Sequence, residues 1–341
     1  MRQKKVLIVG AGQRMQHTVL PALYCLPQEY AIVGIWSKTK KRIRLPDGTH
    51  IMTMTGIDTI ALHDIDVIVL AATISSVPAI LKTLLTHDVG HIDMFLDTPI
   101  LKMKDVRMAR YFSRFKHVYI TEDYISMIQT EIIKNYIARG IVGRIKHIYL
   151  FHYGYKYHAV SFLKRITGDT YISFMHRKRT SDTISEVHIT LSEGCRATII
   201  EPRNYAIGTF LIVGATGTIA NYQFADNTIV LTDMMNNNNI YIGTTAHTDT
   251  SNRYLVKNAH YLTIAGSVQD HTIMNGKKIA SLITMFQTFA HGSEEFVYPD
   301  KDGLYDAIAS AMLDRYQYFF DFRPPCLHLS LLQLIIHLAC K

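Results

Sequence analysis

Cysteine is scarce in this chain: four in 341 residues, Cys25, Cys195, Cys326 and Cys340, with no CxxC and no other paired spacing. That argues against a disulfide framework and against a cysteine-built zinc site. Long apolar runs are missing too. No stretch approaches the roughly 18 uninterrupted apolar residues that a membrane span needs. The amino-terminal MRQKKVLIVGAG sets charges before apolar residues, but the run breaks at glycine after VLIV and no cleavage pattern follows. It is not read as a secretory signal, and the cytoplasm is expected. Nor does charge of one sign form a long block. The chain has 36 Lys and Arg against 28 Asp and Glu, a net charge of +8, but no long basic block and no basic stripe interleaved with aromatics. Nucleic acid and membrane are therefore not expected as partners, and a phosphate-bearing small molecule is. The 17 histidines form no HExxH or other compact set, so no metal is expected.

What is present is a pattern of apolar runs. From residue 5 to about 122, VLIVGAG, AIVGIWS, IDVIVLAAT, IDMFLDTPI and HVYITEDY alternate with helical stretches near 13–26, in SSVPAILKTLLTH and near 102–114. Strands this uniformly apolar need cover on both faces, which predicts an α/β, doubly wound parallel sheet of Rossmann type over residues 1–123. After the helical IQTEIIKNYIARG the pattern changes to strands in succession: RIKHIYLFHYGY, TISEVHITLSE, RATIIEP, FLIVGATGTIANY and NTIVLTD. Residues 124–325 are thus predicted as an α+β domain with a large, mostly antiparallel sheet and helices near 158–167 and 303–320. NNNN at 236–239 reads as an exposed turn, and residues 326–341 as an apolar tail helix that docks on its own domain or on a second copy.

The stretch KKVLIVGAGQRMQHTVLPAL carries the first chemical signal. Gly10 permits a tight strand-to-helix turn, Gly12 lets backbone approach a pyrophosphate, and the helix that follows presents free N–H groups and a positive dipole end. Met15 stands where the fingerprint has its third glycine. Ser37 closes the second strand and is followed by Lys38, Lys40, Lys41 and Arg42, with no carboxylate to hold a ribose 2′-OH. A hydroxyl beside ammonium groups suits a 2′-phosphate, so NADP(H) is expected ahead of NAD(H). Gln13, Arg14 and Met15 at the helix start, Ala72 and Thr73 after IDVIVLAAT, and Asp97 and Thr98 after IDMFLDTPI complete the candidate cofactor contacts.

Four segments, in order, resemble the glucose–fructose oxidoreductase/inositol dehydrogenase family, the Gfo/Idh/MocA-type oxidoreductases: VLIVGAGQRM, DIDVIVLAATISSVPAILKTLL, IIKNYIARGIVGRIKHIYL and FLIVGATGTIANY. The resemblance spans about residues 4–320 and implies a dinucleotide-dependent oxidoreductase. It also shows what is missing. Asp97, Thr98 and Pro99 occupy the family's Glu-Lys-Pro, so its lysine is absent. His158 matches the histidine of the family's Asp-x-x-x-His pair, but Gly154 stands at the aspartate. The family's histidine is also missing from ATISSVPAI.

Hydride transfer requires a group that exchanges a proton with the reacting oxygen or nitrogen. His158, Tyr155 and Lys156 are the candidates; on an extended strand Tyr153, Tyr155 and Tyr157 would share one face, with Lys156 and His158 on the other. Glu122 and Asp123 end the strand HVYITEDY at the carboxyl edge of the parallel sheet, where ligands of such sheets bind. Loss of the lysine disfavours alcohol oxidation, which needs a base, and favours reduction of a C=N or C=O group in a small biosynthetic metabolite. The competing expectation is a non-catalytic or regulatory nucleotide-binding protein that keeps the fold. A homodimer or homotetramer is expected, because a large open sheet needs cover on its second face.

Overall fold

β1 (Lys4–Val9) is buried over its last four residues, as its composition requires. It lies at the heart of a parallel sheet with β2 (Tyr30–Trp36). Between these two strands the chain forms a π-helical turn (Met15–Val19) that runs into α1 (Leu20–Tyr24). Pro21 explains the widened turn: it has no N–H for the carbonyl four residues back, and Leu20 donates instead to the Met15 carbonyl, five residues back. A hairpin of β3 (Arg42–Arg44) and β4 (His50–Met52) precedes β5 (Val67–Leu70), α2 (Val77–Leu84), β6 (Asp93–Asp97), a 3-10 helical stretch (Met103–Arg114) and β7 (His117–Thr121). The strands order as β7-β6-β5-β1-β2, all parallel. The computed structural model describes residues 2–56, 60–168, 171–247, 253–268, 272–315, 317–321 and 330–339; Cys326 and Cys340 lie outside them.

Short α3 (Asp123–Ser126) and α4 (Ile128–Ala138) lead to the second sheet. Its strands are β8 (Ile145–Phe151), β9 (Ile172–Arg179), β10 (Ser185–Leu191), β11 (Arg196–Glu201), β12 (Thr209–Gly214), β13 (Thr218–Ala220), β14 (Thr228–Met235), β15 (Tyr241–Ala246) and β16 (Arg253–Leu255). Strand β10 alternates buried and half-buried along its whole length, the signature of a sheet covered on one face. That cover comes from α5 (Lys156–Thr167) with α4, and from helices later in the chain, α7 (Ile273–Ala290) and α8 (Asp300–Arg315), while α6 (Tyr261–Ser267) packs on α1 and α7. On the opposite face His147, Tyr149 and Phe151 stand half-buried in a stacked row. Two short strands finish the sheets: β17 (Tyr298–Pro299) joins β7 antiparallel, and β18 (Tyr318–Phe320) joins β9. The tail forms α9 (Leu331–Ala339) against α8 and the 103–114 stretch, its start fixed by the Asp321 carboxylate, which accepts from Ser330 Oγ and the Leu332 N–H. No described helix is long and apolar enough to cross a membrane.

Four local readings are corrected. The helix expected near 303–320 ends at Arg315 and gives way to β18. The 103–114 helix is 3-10. Tyr153, Tyr155 and Tyr157 do not share a strand face, because α5 begins at Lys156. Finally, α7 was not expected, and it ties the two halves together. Phe286 and Phe289 place their rings 5.2 and 5.0 Å from Phe95 of β6, and Tyr30 Oη donates to the Phe286 carbonyl at 2.7 Å. The parallel sheet is therefore covered on one face by a helix from beyond residue 123.

Candidate active site

Gly10 takes φ +119°, and a Cβ there would lie 2.2 Å from the Ala71 carbonyl oxygen, so only glycine fits between β1 and the end of β5. Gly12 is the opposite case: a Cβ would meet nothing within 4 Å, because the residue faces open space. That space is a cleft of about 500 Å³ along the carboxyl edge of the sheet, bounded by Gly10–Gly12, Trp36–Thr39, Lys41 and Ala71–Thr83. Ala72, Thr73, Ser37, Lys38 and Lys41 all line it, and among the described residues no carboxylate does. Ser37 is buried, and its hydroxyl lies 2.6 Å from the Thr39 carbonyl and 2.7 Å from Thr53 Oγ1, so it folds the basic turn as well as walling the cleft. Lys38 and Lys41 are exposed at its mouth. Gln13 is exposed at the helix start, whereas Met15 is fully buried in the core beneath the π turn. The expectation that Met15 touches cofactor is corrected: its side chain fills space against the sheet.

Beyond the glycine turn the edge becomes ionic. Arg14 Nε donates to Asp97 Oδ1 at 3.0 Å and Nη2 to Asp123 Oδ1 at 2.7 Å, while Nη1 is buried without a hydrogen-bond partner among the described residues. Asp97 Oδ1 also accepts from Thr121 Oγ1 at 2.9 Å. Thr98 follows, half-buried. Glu122, at the N-cap of α3, accepts the Tyr124 N–H at 3.2 Å, and its two oxygens lie 2.7 and 2.9 Å from His158 Nδ1. Both side chains are buried, and burial works on each in its own direction. It pushes the Glu122 carboxyl up to about 8, against the opposing pull of the Tyr124 N–H. It pushes the His158 imidazole down to about 3, helped by the Lys278 ammonium. At neutral pH the pair therefore holds one proton between Oε and Nδ1 and is uncharged.

The substitution at 154 now has a physical reason. A Cβ on Gly154 would sit 3.0 Å from Tyr124 Oη and 3.2 Å from Cζ, because the Tyr124 ring occupies that place, stacked on the His158 imidazole at 4.6 Å. The histidine's carboxylate partner comes instead from the sheet edge, as Glu122. Tyr155 caps α5 at the mouth of the site, 42% exposed, with its ring parallel to Tyr157 at 5.5 Å. Tyr157 lies 4.4 Å from the His158 ring, and burial, then Glu122, hold its hydroxyl well above the usual tyrosine range. Lys156 points elsewhere. Its Nζ lies 3.1 Å from Glu201 and 2.7 Å from Asp314, so the expectation of a catalytic lysine here is corrected to an ion-pair anchor for α5.

Two cations absent from the sequence reading stand around the pair. Lys278, on α7, places Nζ 3.8 Å from Asp123 Oδ2 and 5.3 Å over the Tyr205 ring. Arg203, on the segment after β11, stacks its guanidinium between Tyr155 at 4.2 Å and Tyr205 at 4.7 Å. Both rest on parts of the chain that local pattern did not connect to the parallel sheet.

No family model matches the chain, and no curated protein matches it in sequence. Solved structures do match its fold. A myo-inositol dehydrogenase from Lactobacillus casei, in complex with NAD(H) and myo-inositol, superposes with a TM-score of 0.63 at 13% identity, over 96% of this chain and 99% of that one. An oxidoreductase from Thermotoga maritima gives 0.62 at 13%, over 94% and 98%. One from Agrobacterium radiobacter, in complex with NAD+, L-tartaric acid and magnesium, gives 0.61 at 12%, over 94% and 98%. The chain thus shares the fold of these dehydrogenases and oxidoreductases, as the resemblance to the Gfo/Idh/MocA-type family implies.

Proposed function

We propose that the protein is an NADP(H)-dependent oxidoreductase that works as a reductase of a C=N or C=O group in a small metabolite. The observation that carries the reading is the buried Glu122–His158 pair, which holds one proton at the carboxyl edge of a dinucleotide-binding sheet. When bound, the nicotinamide supplies the hydride. The residues of the chain do the rest. The Gly10–Gly12 turn and the cleft beside it suit a dinucleotide, and Arg14 Nη1, without a hydrogen-bond partner among the described residues, is a donor next to that turn. Lys38 and Lys41, with no carboxylate in the cleft, favour a 2′-phosphate.

A reduction leaves negative charge on the substrate nitrogen or oxygen and must be completed by a proton. His158 gives it from Nε2, and Nδ1 takes the Glu122 proton in exchange, so the pair ends as carboxylate and neutral imidazole and is recharged from solvent. The absence of a lysine at Thr98 is consistent with this direction, since the pair enters the cycle already protonated. The solved structures with bound NAD(H) or NAD+ support a nicotinamide dinucleotide as cofactor. The test is titration with NADPH and NADH by nicotinamide fluorescence, followed by a screen of imines and ketones for NADPH oxidation. Failure to bind either nucleotide would retire the reading. We also propose that the stacked row of His147, Tyr149 and Phe151 is covered by a second copy of the chain, to be checked by sedimentation.

A further inference from the structure

We infer that the substrate is a planar carboxylate, its anionic group held by Lys278 and Arg203 and its flat part laid against Tyr155 and Tyr205. This rests on the oxidoreductase reading and names the class of molecule that the site selects.

The argument starts from how the local charges are paired. The carboxylates of Asp97 and Asp123 are already committed to Arg14 at 3.0 and 2.7 Å. Lys278 reaches Asp123 only at 3.8 Å, across an oxygen pair that Arg14 engages more closely. Arg203 has no ion pair among the described residues; its contacts are the two tyrosine rings and the Tyr155 hydroxyl. An arginine stacked between two rings has lost conformational freedom without gaining a counter-ion, so its planar N–H fork is set in advance for a carboxylate. The cation–π contacts hold it by the faces of the guanidinium, and with one edge contact to the Tyr155 hydroxyl the remaining N–H groups of its edge are available to a carboxylate.

Position makes the pair of cations part of the site. Tyr155 caps the helix that carries His158, and its ring centroid is 6.2 Å from the imidazole. Tyr205 bridges the two cations, with Arg203 at 4.7 Å and Lys278 at 5.3 Å from its ring, and its hydroxyl meets that of Tyr124, which stacks on His158. A flat molecule with its unsaturated carbon near His158 would therefore have tyrosine faces beside it and two ammonium or guanidinium groups within reach of a neighbouring carboxylate. A C=N or C=O carbon conjugated to a carboxylate, as in a 2-imino or 2-oxo acid, has that shape.

The experiment uses pyridine-2-carboxylate and its neutral isostere pyridine-2-carboxamide, titrated calorimetrically into the full chain with and without NADPH. The acid should bind at least about tenfold more tightly than the amide, the effect expected when charge-assisted hydrogen bonds are added. Arg203→Gln and Lys278→Gln should each weaken the acid about tenfold and leave the amide unchanged. Arg203 is exposed, so its variant tests the site without disturbing the buried ion pairs. Equal affinity for acid and amide, no binding of either, or a charge preference that survives both substitutions would overturn the inference. Nucleotide titration of the same samples separates the two claims. Acid binding without NADPH binding retires the oxidoreductase reading and leaves the anion site, and the reverse result retires the anion site alone.

Discussion

Raising the pH from 6.5 to 8 should weaken the fold, and the loss should trace to Glu122. Its carboxyl is at about 8 in the fold against an ordinary 4.5, and the His158 imidazole is at about 3 against 6.5. A carboxyl raised by folding keeps a proton that the unfolded chain has released, so its contribution is complete below pH 4.5 and is lost as the pH climbs towards 8. An imidazole lowered by folding stays neutral where the unfolded chain takes a proton, so its contribution is complete above pH 6.5 and is lost as the pH falls towards 3. Each limb has a slope of about 1.4 kcal/mol per pH unit, and the two cancel where they overlap. The pair therefore gives a plateau between pH 4.5 and 6.5, and about 2 kcal/mol is lost between 6.5 and 8. Glu122→Gln isolates the alkaline limb, since an amide can still accept from the Tyr124 N–H and donate to Nδ1 but cannot titrate. Urea midpoints measured from about pH 6 to about 8.5 should slope downward for the wild type and stay flat for the variant. Parallel slopes would show that the shared proton does not belong to this pair.

Other outcomes follow from single contacts. Gly10→Ala combines a φ of +119° with a Cβ 2.2 Å from the Ala71 oxygen and should cost about 3 kcal/mol or more, seen as a large fall in Tm with loss of nucleotide binding. The double variant Lys38→Gln/Lys41→Gln should lower NADPH affinity by tenfold or more and leave NADH affinity unchanged in the fluorescence titration; equal losses would move the 2′-phosphate contact elsewhere. Lys156→Met strands Glu201 and should destabilise the chain by about 2–4 kcal/mol with turnover per folded molecule intact. A stable but slow variant would return Lys156 to the chemistry.

The parallel sheet was legible because its strands are apolar on both faces, a pattern that few other structures tolerate, and Gly10 could be read because no other residue satisfies its backbone. The mixed sheet was legible in outline from strand succession. Three features resisted for identifiable reasons. Tyr153, Tyr155 and Tyr157 alternate as a strand would, but alternation does not show where a helix begins, and α5 starts inside the run. The Glu122–His158 pair joins residues 36 apart in sequence, and only the ring of Tyr124 in the place of a side chain at 154 explains why the partner moved. The long helix α7 was signalled, by Thr272 accepting from the Asn275 N–H at its start and by Ile279, Ile283, Phe286 and Phe289 at helical spacing, but turn-forming Asn275 and Gly276 near its start obscured it. Lys278 was lost with it.

That helix has a consequence for how the molecule behaves as a whole. Phe286 and Phe289 close the hydrophobic core of the parallel sheet, while Lys278, about two turns earlier on the same rod, stands beside Asp123 and the Tyr205 ring. A fragment ending near residue 123 would bare Phe95 and Tyr119 to water, so the parallel-sheet half is not a separable module. Heat or urea should melt both halves in one cooperative event. A conservative change at Phe286, fully buried in the core, should be felt as a displacement of the Lys278 ammonium group further along the helix.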